Sequence, residues 1–97
     1  LKNGRLVYVL PKNQDNNAQF KIAKKALEDF VLDVEPVSNQ VVVKTTTAAA
    51  QVIAESIDNL YIDNIVASIA GDNVVLIISK DETKAKEVSK TIEDNIK

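Results

Sequence analysis

Apolar residues fall into two patterns along this chain. Some form short runs rich in β-branched residues, and others recur every three or four positions. The densest stretch is Ile65 to Ser79, where two apolar runs flank Gly71-Asp72-Asn73. Short β-branched runs on either side of such a tripeptide predict a hairpin of two buried strands. Gly-Asp-Asn tolerates unusual backbone angles, so a tight turn is expected there. Val31 to Val37 alternates apolar Leu32 and Val34 with charged Asp33 and Glu35, which predicts a half-exposed strand. Pro36 places that strand at an edge or near an end. Ser38-Asn39 then turns the chain into another strand, Gln40 to Thr45.

The longer period predicts three helices. Ala18 to Phe30 carries Phe20, Ala23, Leu27 and Phe30 at helical spacing, with Asn16 or Asn17 placed to cap the start. A second helix follows a cap at Thr46 or Thr47 and runs to about Leu60, its stripe being Ala49, Val52, Ile53, Ser56, Ile57 and Leu60. Tyr61 to Asn64 connects it to the hairpin. Asp81 is placed to cap a last helix, Glu82 to about Ile96, with Ala85, Val88, Ile92 and Ile96 on one face. The second half echoes the first: Asn39-Gln40-Val41-Val42-Val43 is similar to Asp72-Asn73-Val74-Val75-Leu76. The expected order is α-β-β-α-β-β-α. This is an α/β chain of the α+β type, a two-layer sandwich with helices against a four-stranded, mainly antiparallel sheet.

One feature of the pattern conflicts with that architecture. A sheet covered on one face alternates apolar and polar residues. Val41 to Val43 and Val74 to Ile78 do not alternate. Something must cover the second face, either the first helix or another copy of the chain; partner burial is the favoured reading, with the acidic hairpin tip at the same seam. Fully burying one Val or Ile contributes about 1.5–3 kcal/mol, so several exposed ones would drive assembly.

Before the first helix, Arg5 to Leu10 is a strand candidate behind the turn signal Asn3-Gly4. Pro11 to Asn17 is polar and reads as a linker. Because the sequence starts at Leu1 rather than Met, a fragment is expected. Residues 1–17 then form the end of a preceding domain plus a linker, and residues 18–97 form the domain itself. A disordered or edge-pairing terminus is the other reading of the first strand.

Composition narrows the chemistry. The 97 residues suffice for one small core. The net charge of −2 and pI near 5.0 argue against this part gripping nucleic acid or an anionic membrane by itself. With no Cys and no His, a zinc site of the usual kind and Cys-His or Ser-His catalysis are excluded. The lack of disulfides fits a cytoplasmic location, and no apolar run is long enough to span a bilayer. Lys21, Lys24 and Lys25 are balanced by acidic residues and read as a solvated face. Asp58 and Asp72 could form a carboxylate pair, but no other element makes one of them an acid, so no enzyme is expected. A site for a guanidinium or ammonium ligand fits these carboxylates better.

These residues also resemble a family. Val42-Val43-Lys44-Thr45, Ala50-Gln51, Ile53, Asp58-Asn59-Leu60, Ile69, Gly71-Asp72 and Leu76-Ile77-Ile78 resemble the C-terminal domain of bacterial arginine repressors. Tyr8-Val9-Leu10-Pro11 is similar to the end of that family's DNA-binding domain, so the likeness runs from Tyr8 to Ile96. It implies an oligomerisation and L-arginine-sensing domain that forms trimers and stacks them as a hexamer. It also implies that operator DNA is bound only through a winged helix-turn-helix domain lying before this part. Arginine is then an effector, not a cofactor, and no membrane partner is implied. By position, Gln51, Asp58, Ser68, Ala70, Asp72 and Asn73 fall where the family contacts arginine: Asp72 meets the charge, Asp58 and Gln51 hold polar groups, and Ser68 and Ala70 line the pocket.

The chain departs from the family in three places. Gly71-Asp72-Asn73-Val74 stands where Gly-Asp-Asp-Thr is usual, Ala67-Ser68 where Gly-Thr is usual, and Thr47-Ala48 where Pro-Gly is usual. Asn73 loses a negative charge, so a weakened arginine response is expected. A ligand-independent oligomerisation module of a paralogous regulator is the alternative.

Overall fold

The computed structural model describes residues 13–96, with side-chain environments from Ala18 onward. The Arg5 to Leu10 strand lies outside the described residues. The elements are α1 (Asn13–Phe30), β1 (Val31–Val37), β2 (Gln40–Thr45), α2 (Ala50–Asn59), β3 (Ala67–Ala70), β4 (Val74–Ile78) and α3 (Glu82–Ile96). Their order is the expected α-β-β-α-β-β-α. The four strands form one sheet in the order β1-β2-β4-β3, and every neighbouring pair is antiparallel. The first hairpin and the second are thus joined through β2 and β4, with β1 and β3 at the edges.

Register sorts the side chains onto two faces. The row Val34, Val43, Val75 and Ala70 crosses all four strands on one face, as does Pro36, Val41, Ile77 and Ser68. Val41, Val43, Val75 and Ile77 are completely buried there. They meet Ala23 and Leu27 of α1, Ala50, Ile53 and Ile57 of α2, and Ala85, Val88 and Ile92 of α3 in one cluster. All three helices therefore contribute to a core on a single face, and α1 packs against α2 and α3. The first helix does not cover the second face.

That second face carries the row Glu35, Val42, Leu76 and Ile69, flanked by Val37, Gln40, Ile78 and Ala67 and by Asp33, Lys44 and Val74. Val42, Val74, Leu76 and Ile78 are half-buried, and Ile69 is 59% exposed. The apolar part centres on β4 and its neighbours, while the charges gather toward β1.

Several local expectations are corrected. α1 begins at Asn13, so Asn16 and Asn17 lie inside the helix rather than at its cap. Phe20 and Phe30 are exposed, because α1 rests on the core only through Ala23 and Leu27, with Ala26 beside them. Leu32 is 68% exposed where alternation places it beside Val34. A register shift between Val31 and Asp33 explains this: the extra residue of a bulge turns Leu32 out of phase. Neither Thr46 nor Thr47 caps α2; Ala49 stands at the cap with no side-chain bond. β3 is shorter and less buried than expected, since it is an edge strand. By contrast, Asp81 caps α3 as anticipated, its Oδ1 accepting from the Lys84 N–H at 2.9 Å.

Two core substitutions separate packing from polarity. Ile77→Ala should cost about 2–5 kcal/mol in denaturant unfolding, since Ile77 is completely buried. The Ser79 hydroxyl is buried with no hydrogen-bond partner among the described residues. Ser79→Ala should therefore leave stability unchanged or raise it, by up to about 1 kcal/mol.

Candidate ligand site at the edge of the sheet

The candidate residues lie along α2, β3 and the tip of the second hairpin. Gln51 and Asp58 are two turns apart on α2, so they share a helix face with roughly 10 Å between them. Ser68 and Ala70 pair with the buried residues Ile77 and Val75, which places both on the helix-facing side of β3. Both are half-buried. Asp72 and Asn73 form the tip, some 13 Å along the strand from Ser68.

Asp58 and Ser68 share a cleft of about 510 Å³, together with Asn59, Tyr61, Ile65, Val66 and Ala67. Asp72, Asn73, Ala70 and Gln51 do not line it. One protomer therefore brings Asp58 and Ser68 together and leaves the hairpin tip at the opposite end of the same edge. No helix among the described residues is long and apolar enough to cross a membrane.

The tip turns without a left-handed residue: no glycine among the described residues has positive φ, and neither Asp72 nor Asn73 does. The unusual backbone angles expected at Gly71-Asp72-Asn73 are absent. Instead the Gly71 N–H donates to the Val74 carbonyl at 2.8 Å, extending the ladder into the turn. The tip is then braced from outside. The Thr45 N–H donates to the Asn73 carbonyl at 2.9 Å, and the Ala50 N–H donates to the Asp72 carbonyl at 3.2 Å. The Asp72 carboxylate accepts from the Ala48 N–H at 3.4 Å. The first amides of a helix lack partners within it. Here the neighbouring hairpin supplies one, which is why a side-chain cap on α2 is dispensable. These contacts turn Asp72 toward the start of α2.

The 46–49 bend is the part of this region that pattern reasoning missed. Ala48 has φ 65°, a left-handed conformation that costs an L-residue with a Cβ about 1–2 kcal/mol. The usual glycine at this place in the resembling family was the available signal. Tyr61, just past the end of α2, is likewise left-handed at φ 53° and is 74% exposed on the lip of the cleft. Glycine is the common solution at such a helix end.

A small antiparallel α+β domain, with one sheet face closed by helices and a braced acidic hairpin tip at its edge, is the class that fold and site define. Comparison with known proteins makes this specific. The family model described as Arginine repressor, C-terminal domain, matches residues 27–94. A Clostridium novyi protein named arginine repressor is 37% identical over 91 residues, covering 94% of this chain and 60% of that protein. Its Geobacillus stearothermophilus namesake is 38% identical over 89 residues, covering 92% and 59%. That of Clostridium acetobutylicum is 51% identical over 55 residues, covering 57% and 37%. The chain belongs to the arginine repressor family and corresponds to its C-terminal domain. It spans about three fifths of the length of the first two relatives.

The bend makes a direct prediction. Ala48→Gly should raise the thermal unfolding free energy by up to about 1 kcal/mol, because relief of the left-handed strain exceeds the added freedom of the unfolded chain. Differential scanning calorimetry at low concentration reads this gain; a loss of stability would show that the bend is unstrained.

Proposed function

We propose that this chain is the oligomerisation and L-arginine-sensing domain of an arginine-responsive transcriptional regulator. The observation that carries the proposal is the match of the C-terminal domain family model to residues 27–94, on a fold that leaves one apolar sheet face open. The relatives' name supports arginine as effector and repression as the output, and it speaks for a regulator rather than an enzyme. No cofactor is needed for this role. The domain's net charge of −2 fits a part that leaves DNA to another domain, a winged helix-turn-helix preceding it in the whole regulator. The setting is the cytoplasm.

In this reading Val42, Leu76, Ile78 and Ile69 meet their counterparts in sister copies, forming trimers, and two trimers stack as a hexamer. The apolar centre with charges displaced toward β1 is the composition of an interface core and its rim. Arginine contacts Gln51, Asp58, Ser68, Ala70, Asp72 and Asn73. Since Asp72 and the Asp58–Ser68 cleft stand at opposite ends of one edge, the ligand meets the tip of one protomer and the cleft of another. Asp72 supplies the negative charge for the guanidinium. Asn73 supplies none, and its neutrality favours a second reading, a paralogous module that assembles without ligand.

Calorimetric titration with L-arginine separates the two. The wild-type chain should bind weakly, and Asn73→Asp should tighten binding at least about thirtyfold, the low end of about 2–5 kcal/mol for a desolvated charge pair. Tight binding by wild type would refute the weakened response. No binding by either protein would favour the ligand-independent module.

A further inference from the structure

We propose that Tyr61 is a further ligand-contacting residue of the cleft at the end of α2, its ring meeting the cationic ligand by a cation–π contact. The proposal rests on the reading of that cleft as part of the arginine site. Tyr61 lines the cleft together with Asp58 and Ser68, against apolar walls from Ile65, Val66 and Ala67. Among the described residues that line it, Asp58 is the one acidic side chain, Tyr61 is the one aromatic, and there is no Lys or Arg. The cleft therefore offers a cation a single full negative charge. L-Arginine carries two cationic groups, a guanidinium and an α-ammonium, so the tip of one protomer can meet one while the other enters the cleft of its neighbour. A carboxylate engages one side of such a cation. An aromatic face attracts it from another side through the ring quadrupole, without adding charge. The backbone at Tyr61 points the same way. The residue is left-handed at φ 53°, with its N–H donating to the carbonyl of Asp58 at 3.2 Å, so one short turn ties the ring to the carboxylate-bearing residue. That conformation is disfavoured for a residue with a Cβ, and glycine is the usual solution at a helix end. Core packing does not account for a tyrosine there, since Tyr61 is 74% exposed and stands outside the core cluster. Contact with what the cleft holds does account for it.

Two substitutions isolate the ring. Tyr61→Phe keeps the aromatic face. Tyr61→Leu keeps an apolar side chain and the Cβ, so the left-handed backbone is equally disfavoured, but the face is gone. At 74% exposure neither change removes core packing. The test is titration of the wild-type, Tyr61→Phe and Tyr61→Leu full chains with L-arginine by NMR. The Ser68 amide reports binding in all three, and the Tyr61 ring protons are followed in wild type, where Tyr8 is the only other tyrosine. The expected result is binding about fivefold weaker for Tyr61→Leu, the upper end for an exposed cation–π contact, with Tyr61→Phe within twofold of wild type. The Tyr61 ring resonances should move as wild type saturates, which a purely structural tyrosine would not require. Saturable wild-type binding with Tyr61→Leu within twofold of it overturns the proposal and leaves arginine sensing intact. So does a Tyr61→Phe chain as weak as Tyr61→Leu, which would assign the effect to the hydroxyl, and so do ring resonances that stay fixed on saturation. No saturable wild-type binding up to millimolar arginine overturns the sensing reading, and the proposal falls with it.

Discussion

Both faces of the central sheet are apolar, and the chain has helices for only one of them. Val41, Val43, Val75 and Ile77 point into a core closed by α1, α2 and α3. Val42, Val74, Leu76 and Ile78 alternate with them on the same two strands and point away from every helix. Fully burying each such side chain contributes about 1.5–3 kcal/mol. The inner face uses that free energy to hold one protomer together. On the outer face Val42, Val74, Leu76 and Ile78 stay only half-buried in the protomer.

The second constraint is at the end of the sheet. The hairpin tip between β3 and β4 is short and has no left-handed residue, and it is fixed by Thr45, Ala48 and Ala50 instead. Asp72 is therefore both the end of a strand connection and a partner for amides before and at the start of α2. The left-handed geometry lies not in the turn itself, where Gly71-Asp72-Asn73 suggested it, but in the alanine that faces the turn.

Much of the architecture was legible in the sequence because local signals agreed with the tertiary outcome. β1 and β2 match the expected Val31–Val37 and Gln40–Thr45, and Asp81 caps α3 over Glu82–Ile96. The non-alternating valines correctly marked a face that α1 leaves uncovered. What could not be read was set by contacts distant in sequence. The bulge that turns out Leu32 depends on pairing with β2, and the exposure of Phe20 and Phe30 depends on how α1 lies across α2 and α3. In the candidate site, the nearness of Asp58 to Ser68 follows from α2 running beside β3, which periodicity does not give. The Asp72–Ala48 bond joins residues 24 apart, so the left-handed Ala48 carried no local mark beyond the place where glycine is usual.

The central claim is that the helix-free sheet face is covered by sister copies. Light scattering of the chain in arginine-free buffer at micromolar concentration measures it most directly. The account predicts a mass that is a multiple of the 10.6 kDa protomer, reduced toward 10.6 kDa by Leu76→Lys with the fold retained. A wild-type chain that remains a folded monomer of 10.6 kDa under these conditions would contradict it.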